Sequence, residues 1–106
     1  MMNGGMMYSK GDIVLIQFPF SDLINAKKRP MIVLALKGED VIGCAITSNP
    51  DSDGVSLPSG TLPLESKVKY WQIHTFIDTL VLKKVTTLPE KTHKELLEKI
   101  NTFFAI

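Results

Sequence analysis

The chain has 106 residues, a formal net charge of +1, and 44% hydrophobic against 22% charged residues, which predicts one globular domain and excludes general disorder. The near balance of charge excludes an arm that coats nucleic acid through charge alone, although it leaves room for a local basic patch. The single cysteine, Cys44, excludes an internal disulfide, and no apolar run is long enough to span a membrane, so we expect a cytoplasmic protein.

Residues 1–9, rich in glycine and methionine, are predicted to be a flexible leader, and residues 10–106 are predicted to form a single domain. Short β-branched and apolar runs, bounded by turn residues, predict strands over Asp12–Phe18, Met31–Lys37, Val41–Ser48, Lys67–Phe76 and Leu80–Val85. Ser21–Lys28 and Asn49–Gly60 are predicted to be loops, and Gly43 is predicted to mark a bulge or a close approach of two strands.

The hydrophobic period changes near the C-terminus. Apolar residues at steps of three and four predict an amphipathic helix after Pro89, which suits the first helical position: Leu96, Leu97, Ile100, Phe103 and Phe104. His93 is expected on the surface of its first turn. Five or six short strands followed by one helix predict a mainly β fold, a small and strongly bent β-barrel with the helix over one opening or edge.

The sequence offers few groups for metal or cofactor chemistry. One cysteine and two histidines, His74 and His93, give no zinc-binding spacing, and no glycine-rich phosphate loop is present. We therefore expect no metal and no cofactor. His74 lies in an aromatic-rich strand, where a histidine is more often a structural residue than a catalyst.

Arg29 is the only arginine, whereas the other eleven basic residues are lysines. A guanidinium offers a planar fork of donors that holds a phosphate bidentately, which lysine cannot copy. On count alone, however, the base composition of the gene explains a single arginine more simply.

The predicted strands place Arg29 near other polar residues. If Met31–Lys37 and Val41–Ser48 form an antiparallel hairpin, Arg29 lies beside Thr47 and Ser48 at one rim of the sheet. A cation, two hydroxyls and the Asn49 amide together would suit a phosphate group. The end of a strand and the start of a turn explain the same polar residues equally well.

Several stretches, in this order, resemble the MazF/PemK-like toxin family: Gly11–Val14 with Phe18–Leu23, Lys28–Pro30 before an apolar strand, Ala45–Asn49, Gln72–Thr75, and Leu82–Val85 before a C-terminal helix. The similarity covers nearly the whole chain from Lys10. It implies a small SH3-like barrel of the CcdB/PemK-like toxin type, a homodimer, and a metal-independent endoribonuclease that cuts single-stranded messenger RNA. It also implies a cognate antitoxin that inhibits the toxin and, only together with it, binds operator DNA.

Transferred position by position, the resemblance implies that Arg29 and Thr47 are catalytic. The substrate-binding residues predicted beside them are Ser48, Asn49, Lys27, Lys28, Phe20 and His74. The chain departs from the family twice, because Ser21–Lys28 contains no glycine and His74 replaces an arginine. The departures keep an alternative open: a catalytically silent protein of the same fold that binds an antitoxin or another protein, as gyrase-poisoning toxins do, or that acts as a DNA-bound co-repressor.

Overall fold

The computed structural model describes residues 7–18 and 27–105. Within these residues, six antiparallel strands form one sheet in the order β4-β5-β3-β2-β1-β6. The elements are β1 (Asp12–Phe18), β2 (Lys27–Lys37), β3 (Asp40–Thr47), β4 (Val55–Ser56), β5 (Lys67–Ile77), a short 3-10 turn (Asp78–Leu80), β6 (Val81–Thr87) and α1 (Glu90–Phe104). The predicted mainly β fold with a C-terminal helix is confirmed.

The bounds of β3, β5 and β6 differ from the sequence prediction by one or two residues, and two other strands differ more. β2 begins at Lys27 rather than Met31, because Lys27 pairs with Phe18 and extends the β1–β2 ladder. The sequence pattern missed this extension because exposed lysines do not alternate with apolar residues. The short strand β4, Val55–Ser56, lies inside the predicted loop Asn49–Gly60, where two residues are too few to give a pattern.

The ends of the domain also differ in detail. The first six residues of the predicted leader lie outside the described residues, while Tyr8 packs against the core. Pro89 caps helix α1 instead of being its first residue. His93, expected on the surface, is half-buried, because its ring packs against the backbone at Gly11.

The bent sheet buries an apolar cluster on each face. The helix-side cluster includes Ile32, Cys44 and Leu96, and helix α1 covers it. The opposite cluster includes Met31 and Phe76. Successive residues of β2 point to opposite faces of the sheet, so each residue of this strand contributes to only one of the two clusters. In the described part of the chain, no helix combines the length and apolar character needed to cross a membrane.

Cys44 is fully buried in the helix-side cluster, where its thiol donates a long hydrogen bond of 3.9 Å to the carbonyl oxygen of Tyr70. Burial raises the pKa of the Cys44 thiol to about 11. The native thiol is therefore both inaccessible and protonated near neutral pH, and only the thiolate is reactive.

We expect Cys44 to react with a water-soluble disulfide reagent at least about a hundredfold more slowly in native protein than in denaturant. The stability also depends on pH, because the unfolded chain loses this proton near pH of about 8.5 and the native chain retains it. The free energy of unfolding should therefore fall as pH rises from there toward the folded pKa of about 11. Equal labelling rates in native and denatured protein would contradict this burial.

Candidate active site

The β2–β3 hairpin brings the predicted catalytic residues to one end of the sheet. Its turn is formed by Gly38 and Glu39, and Gly38 has a φ of +59° that suits glycine. The two strands pair with Met31 opposite Ala45, as the predicted hairpin requires. Arg29 and Thr47 each lie two residues beyond this last pair, at the same end of the hairpin.

Gly43 allows the hairpin to pack this closely. A Cβ atom at this position would lie 2.2 Å from the Ile32 carbonyl oxygen and 2.9 Å from the Met31 side chain. The predicted close approach is therefore confirmed. Because Gly43 is opposite Val33 on one side and His74 on the other, it lies between two strands that contribute to the site.

One cleft at this end has a volume of about 690 Å³, and we call it the lysine cleft. Among the residues that the structure describes, four cationic residues line it and no carboxylate does: Lys27, Lys28, Arg29 and Lys83. Thr47 and Ser48 also line it, and Leu62–Leu64 forms part of an apolar wall. A cleft lined by charge of one sign attracts anions and raises their local concentration.

A smaller cleft, of about 310 Å³, adjoins the lysine cleft. Phe18, His74, Lys69 and Gln72 line it, and we call it the aromatic cleft. Four residues line both clefts: Arg29, Pro30, Ile46 and Thr47. Arg29 and Thr47 therefore lie at the junction of the two clefts.

A third cleft, of about 510 Å³, continues the surface on the other side of the lysine cleft. It is lined by Asn49, Lys67 and one carboxylate, Glu65, and shares Ser48, Leu64 and Ser66 with the lysine cleft. We call it the serine cleft. The three clefts together form a continuous track that passes Arg29 and Thr47.

The loop after β3 holds the Thr47 hydroxyl in place. The Asn49 backbone N–H donates to the Thr47 Oγ1 at 3.1 Å, and the Asp51 N–H donates to the Asn49 side-chain oxygen at 2.9 Å. Lys67 then donates to the carbonyl oxygens of Pro50 and Ser52, at 3.1 and 2.8 Å. The bond from Asn49 occupies a lone pair of the Thr47 oxygen and leaves its proton available for donation.

The structure places all the predicted site residues that it describes along the track. The lysine cleft receives Arg29, Thr47, Ser48, Lys27 and Lys28, the serine cleft Asn49, and the aromatic cleft His74. Phe20, also predicted to bind substrate, lies outside the described residues.

Sequence reasoning missed several polar residues of the clefts: Lys69, Gln72 and Lys83, and around the serine cleft Ser56, Glu65, Ser66 and Lys67. Gln72 belongs to the same short motif as His74, and that signal could have identified it. Lys69 and Lys83 resemble any other surface lysine until the strand pairing is known. Among residues 7–18 and 27–105, no group of three or more His, Cys, Asp or Glu side chains is arranged to hold a metal ion.

Three solved structures that share the fold illustrate what this chain is similar to. The MazE–MazF complex (Form-III) from Deinococcus radiodurans has a TM-score of 0.78 and 16% identity, over 93% of this chain and 97% of that chain. The Mycobacterium tuberculosis toxin MazF-mt6 has a TM-score of 0.72 and 18% identity, over 90% of this chain and 97% of that chain. An endoribonuclease in complex with its cognate antitoxin, from a mycobacterial species, has a TM-score of 0.70 and 12% identity, over 91% and 93%.

A search of curated proteins gives no match. The family model described as the PemK-like, MazF-like toxin of type II toxin–antitoxin systems, in contrast, matches residues 9–104. This match includes the whole sheet, helix α1 and all three clefts. The chain therefore belongs to the PemK-like, MazF-like toxin family of type II toxin–antitoxin systems.

Proposed function

We propose that this toxin is an endoribonuclease that cuts single-stranded messenger RNA in the cytoplasm, with Arg29 and Thr47 as its catalytic residues and without a metal ion. One observation carries the proposal: Arg29 and Thr47 lie together where the lysine cleft meets the aromatic cleft. The family, and a solved endoribonuclease–antitoxin complex with the same fold, support the choice of reaction.

The chemistry follows from the groups at this junction. The ribose 2′-oxygen attacks the adjacent phosphorus, a new P–O2′ bond forms, and the bond to the 5′-oxygen breaks. The 2′-hydroxyl loses a proton and the departing 5′-oxygen gains one, so the products carry a 2′,3′-cyclic phosphate and a 5′-hydroxyl. Arg29 offers a bidentate positive charge to the phosphorane, and the Thr47 hydroxyl donates to one of its oxygens.

The track also suits a single strand better than an isolated nucleotide. Several clefts in a row accommodate successive nucleotides, and the cations of the lysine cleft balance phosphate charges. Apolar side chains at Leu62–Leu64 offer a surface for unpaired bases. Ser48, Asn49, Lys27, Lys28 and His74 bind the strand in this proposal.

The purified protein is expected to cut a long single-stranded RNA in the presence of EDTA and to leave 2′,3′-cyclic phosphate ends. An oligonucleotide with a single 2′-deoxyribose at the mapped cut site should bind and resist cleavage, because the attacking oxygen is missing. Mass spectrometry of the fragments identifies the ends. Cleavage of the deoxy substrate at the same bond would contradict attack by the 2′-oxygen.

Expression of the toxin in growing cells separates this proposal from the silent alternative. Rapid loss of messenger RNA supports the endoribonuclease. Growth arrest with intact RNA would instead indicate a protein target, as for the gyrase-poisoning toxins. The proposal would then fail although the fold and the family remain.

The proposal includes a cognate antitoxin, because related folds were solved as MazE–MazF complexes. An acidic segment of the antitoxin suits the lysine cleft, where it would compete with RNA for Arg29. A homodimer, and operator DNA bound only with the antitoxin, complete the proposed partners. Light scattering of the purified toxin tests the dimer, and footprinting of the operon promoter tests the DNA complex.

A further inference from the structure

The ring of Phe18 lies under the only guanidinium of the chain. The Cζ atom of Arg29 is 5.9 Å from the centre of the Phe18 ring, within the range of a cation–π contact. The strand register explains the contact: Ile16 pairs with Arg29 and Phe18 pairs with Lys27, so Phe18 and Arg29 are diagonal neighbours across β1 and β2.

Phe18 is itself held by the aromatic residues of β5. Its ring meets Phe76 edge to face at 5.0 Å, and it meets His74 in the same way at 5.5 Å. Phe76 is buried in the opposite cluster, so Phe18 rests on the protein core. The Arg29 side chain, in contrast, is exposed at the end of β2.

An exposed arginine side chain samples many rotamers. If one productive rotamer must be selected each time RNA binds, catalysis is slower. Electrostatic stabilisation of a transition state is effective when the charged group is already in place. A ring that faces the guanidinium from below restricts these rotamers, while the donors of the fork remain free to meet phosphate oxygens.

We propose that Phe18 is a positioning residue, which holds the Arg29 guanidinium at the junction of the lysine cleft and the aromatic cleft. The proposal rests on the endoribonuclease function proposed above. It adds a residue that acts through Arg29 and does not need to contact the RNA. Its partner His74 supports the ring from the side, which gives this histidine a role that requires no proton transfer.

The first experiment needs no activity. Because Arg29 is the only arginine, nitrogen-labelled protein gives one arginine Nε–Hε resonance, and a ring below the guanidinium shifts it upfield. Phe18→Leu should move this resonance to the position of a free arginine side chain, whereas Phe18→Tyr should leave it shifted. Phe76→Leu is the matched control, since it removes a ring from the same cluster but not the ring that Arg29 faces.

The second experiment measures cleavage of a mapped single-stranded RNA by the same variants, below their unfolding temperatures. Phe18→Leu should lower kcat by about tenfold or more with little change in KM, since the phosphate-binding lysines remain. Phe18→Tyr should retain activity, and Phe76→Leu should lose less than Phe18→Leu.

The two experiments test the positioning proposal and the endoribonuclease proposal separately. A shifted resonance without any RNA cleavage would support positioning and overturn the endoribonuclease proposal. RNA cleavage by Phe18→Leu with an unchanged kcat would overturn positioning. An unshifted resonance in the unmodified protein would also overturn it.

Discussion

Replacement of Arg29 by alanine is expected to lower the rate of RNA cleavage on the order of 10³-fold while the protein stays folded. The guanidinium lies where two clefts meet, and the neighbouring lysines cannot offer two parallel donors to one phosphate. The measurement is the single-turnover rate on a mapped RNA, with the unfolding midpoint of each variant recorded beside it. Because Arg29 is exposed, that midpoint should hardly change.

Arg29→Lys and Lys28→Ala are the matched controls. Arg29→Lys keeps the charge and loses the fork, so we expect most of the loss in rate to remain. Lys28→Ala removes an equally exposed charge of the same cleft, so it should lower the affinity for RNA and make that affinity less dependent on salt. The rate at which bound RNA is cleaved should change little. A fully active Arg29→Ala variant would remove the basis of the proposed mechanism.

The fold was predictable because its signals are local. Alternation and β-branched residues gave β1 its bounds, and the three- and four-residue period predicted helix α1. Lys27 and Lys28 were missed as strand residues because pairing with Phe18 and its neighbour in β1 holds them in the strand. Their own side chains give no strand pattern. Tertiary pairing overrides weak strand propensity in such cases.

The candidate site was only partly predictable for a related reason. One hairpin brings Arg29 and Thr47 to the same end of the sheet. Its turn and register depend on residues that are close together in the sequence. Lys69 and Lys83 reach the same clefts through strands that are distant along the chain, so no local pattern marks them. The contact between Phe18 and Arg29 likewise depends on the β1–β2 register, which becomes visible only in three dimensions.

Gly43→Ala is expected to lower the free energy of unfolding by about 3 kcal/mol or more, and to reduce RNA cleavage in the fraction that still folds. The added methyl group would lie 2.2 Å from a backbone oxygen of Ile32, and a backbone atom cannot move aside as a flexible side chain does. β2 and β3 would have to separate, and this hairpin is the element that keeps Arg29 beside Thr47. Chemical denaturation measures the loss.

Gly38→Ala is the control that distinguishes the steric clash at Gly43 from the general effect of replacing a glycine. Gly38 has a φ of +59° with open space around it, so alanine there should cost only about 1 kcal/mol of backbone strain and should not separate the strands. RNA cleavage by Gly38→Ala should therefore stay close to normal, because the turn lies at the far end of the hairpin from Arg29. Equal destabilisation by the two substitutions would show that strand separation at Gly43 is not the cause. The close approach at Gly43 would then no longer explain how the hairpin keeps Arg29 and Thr47 together.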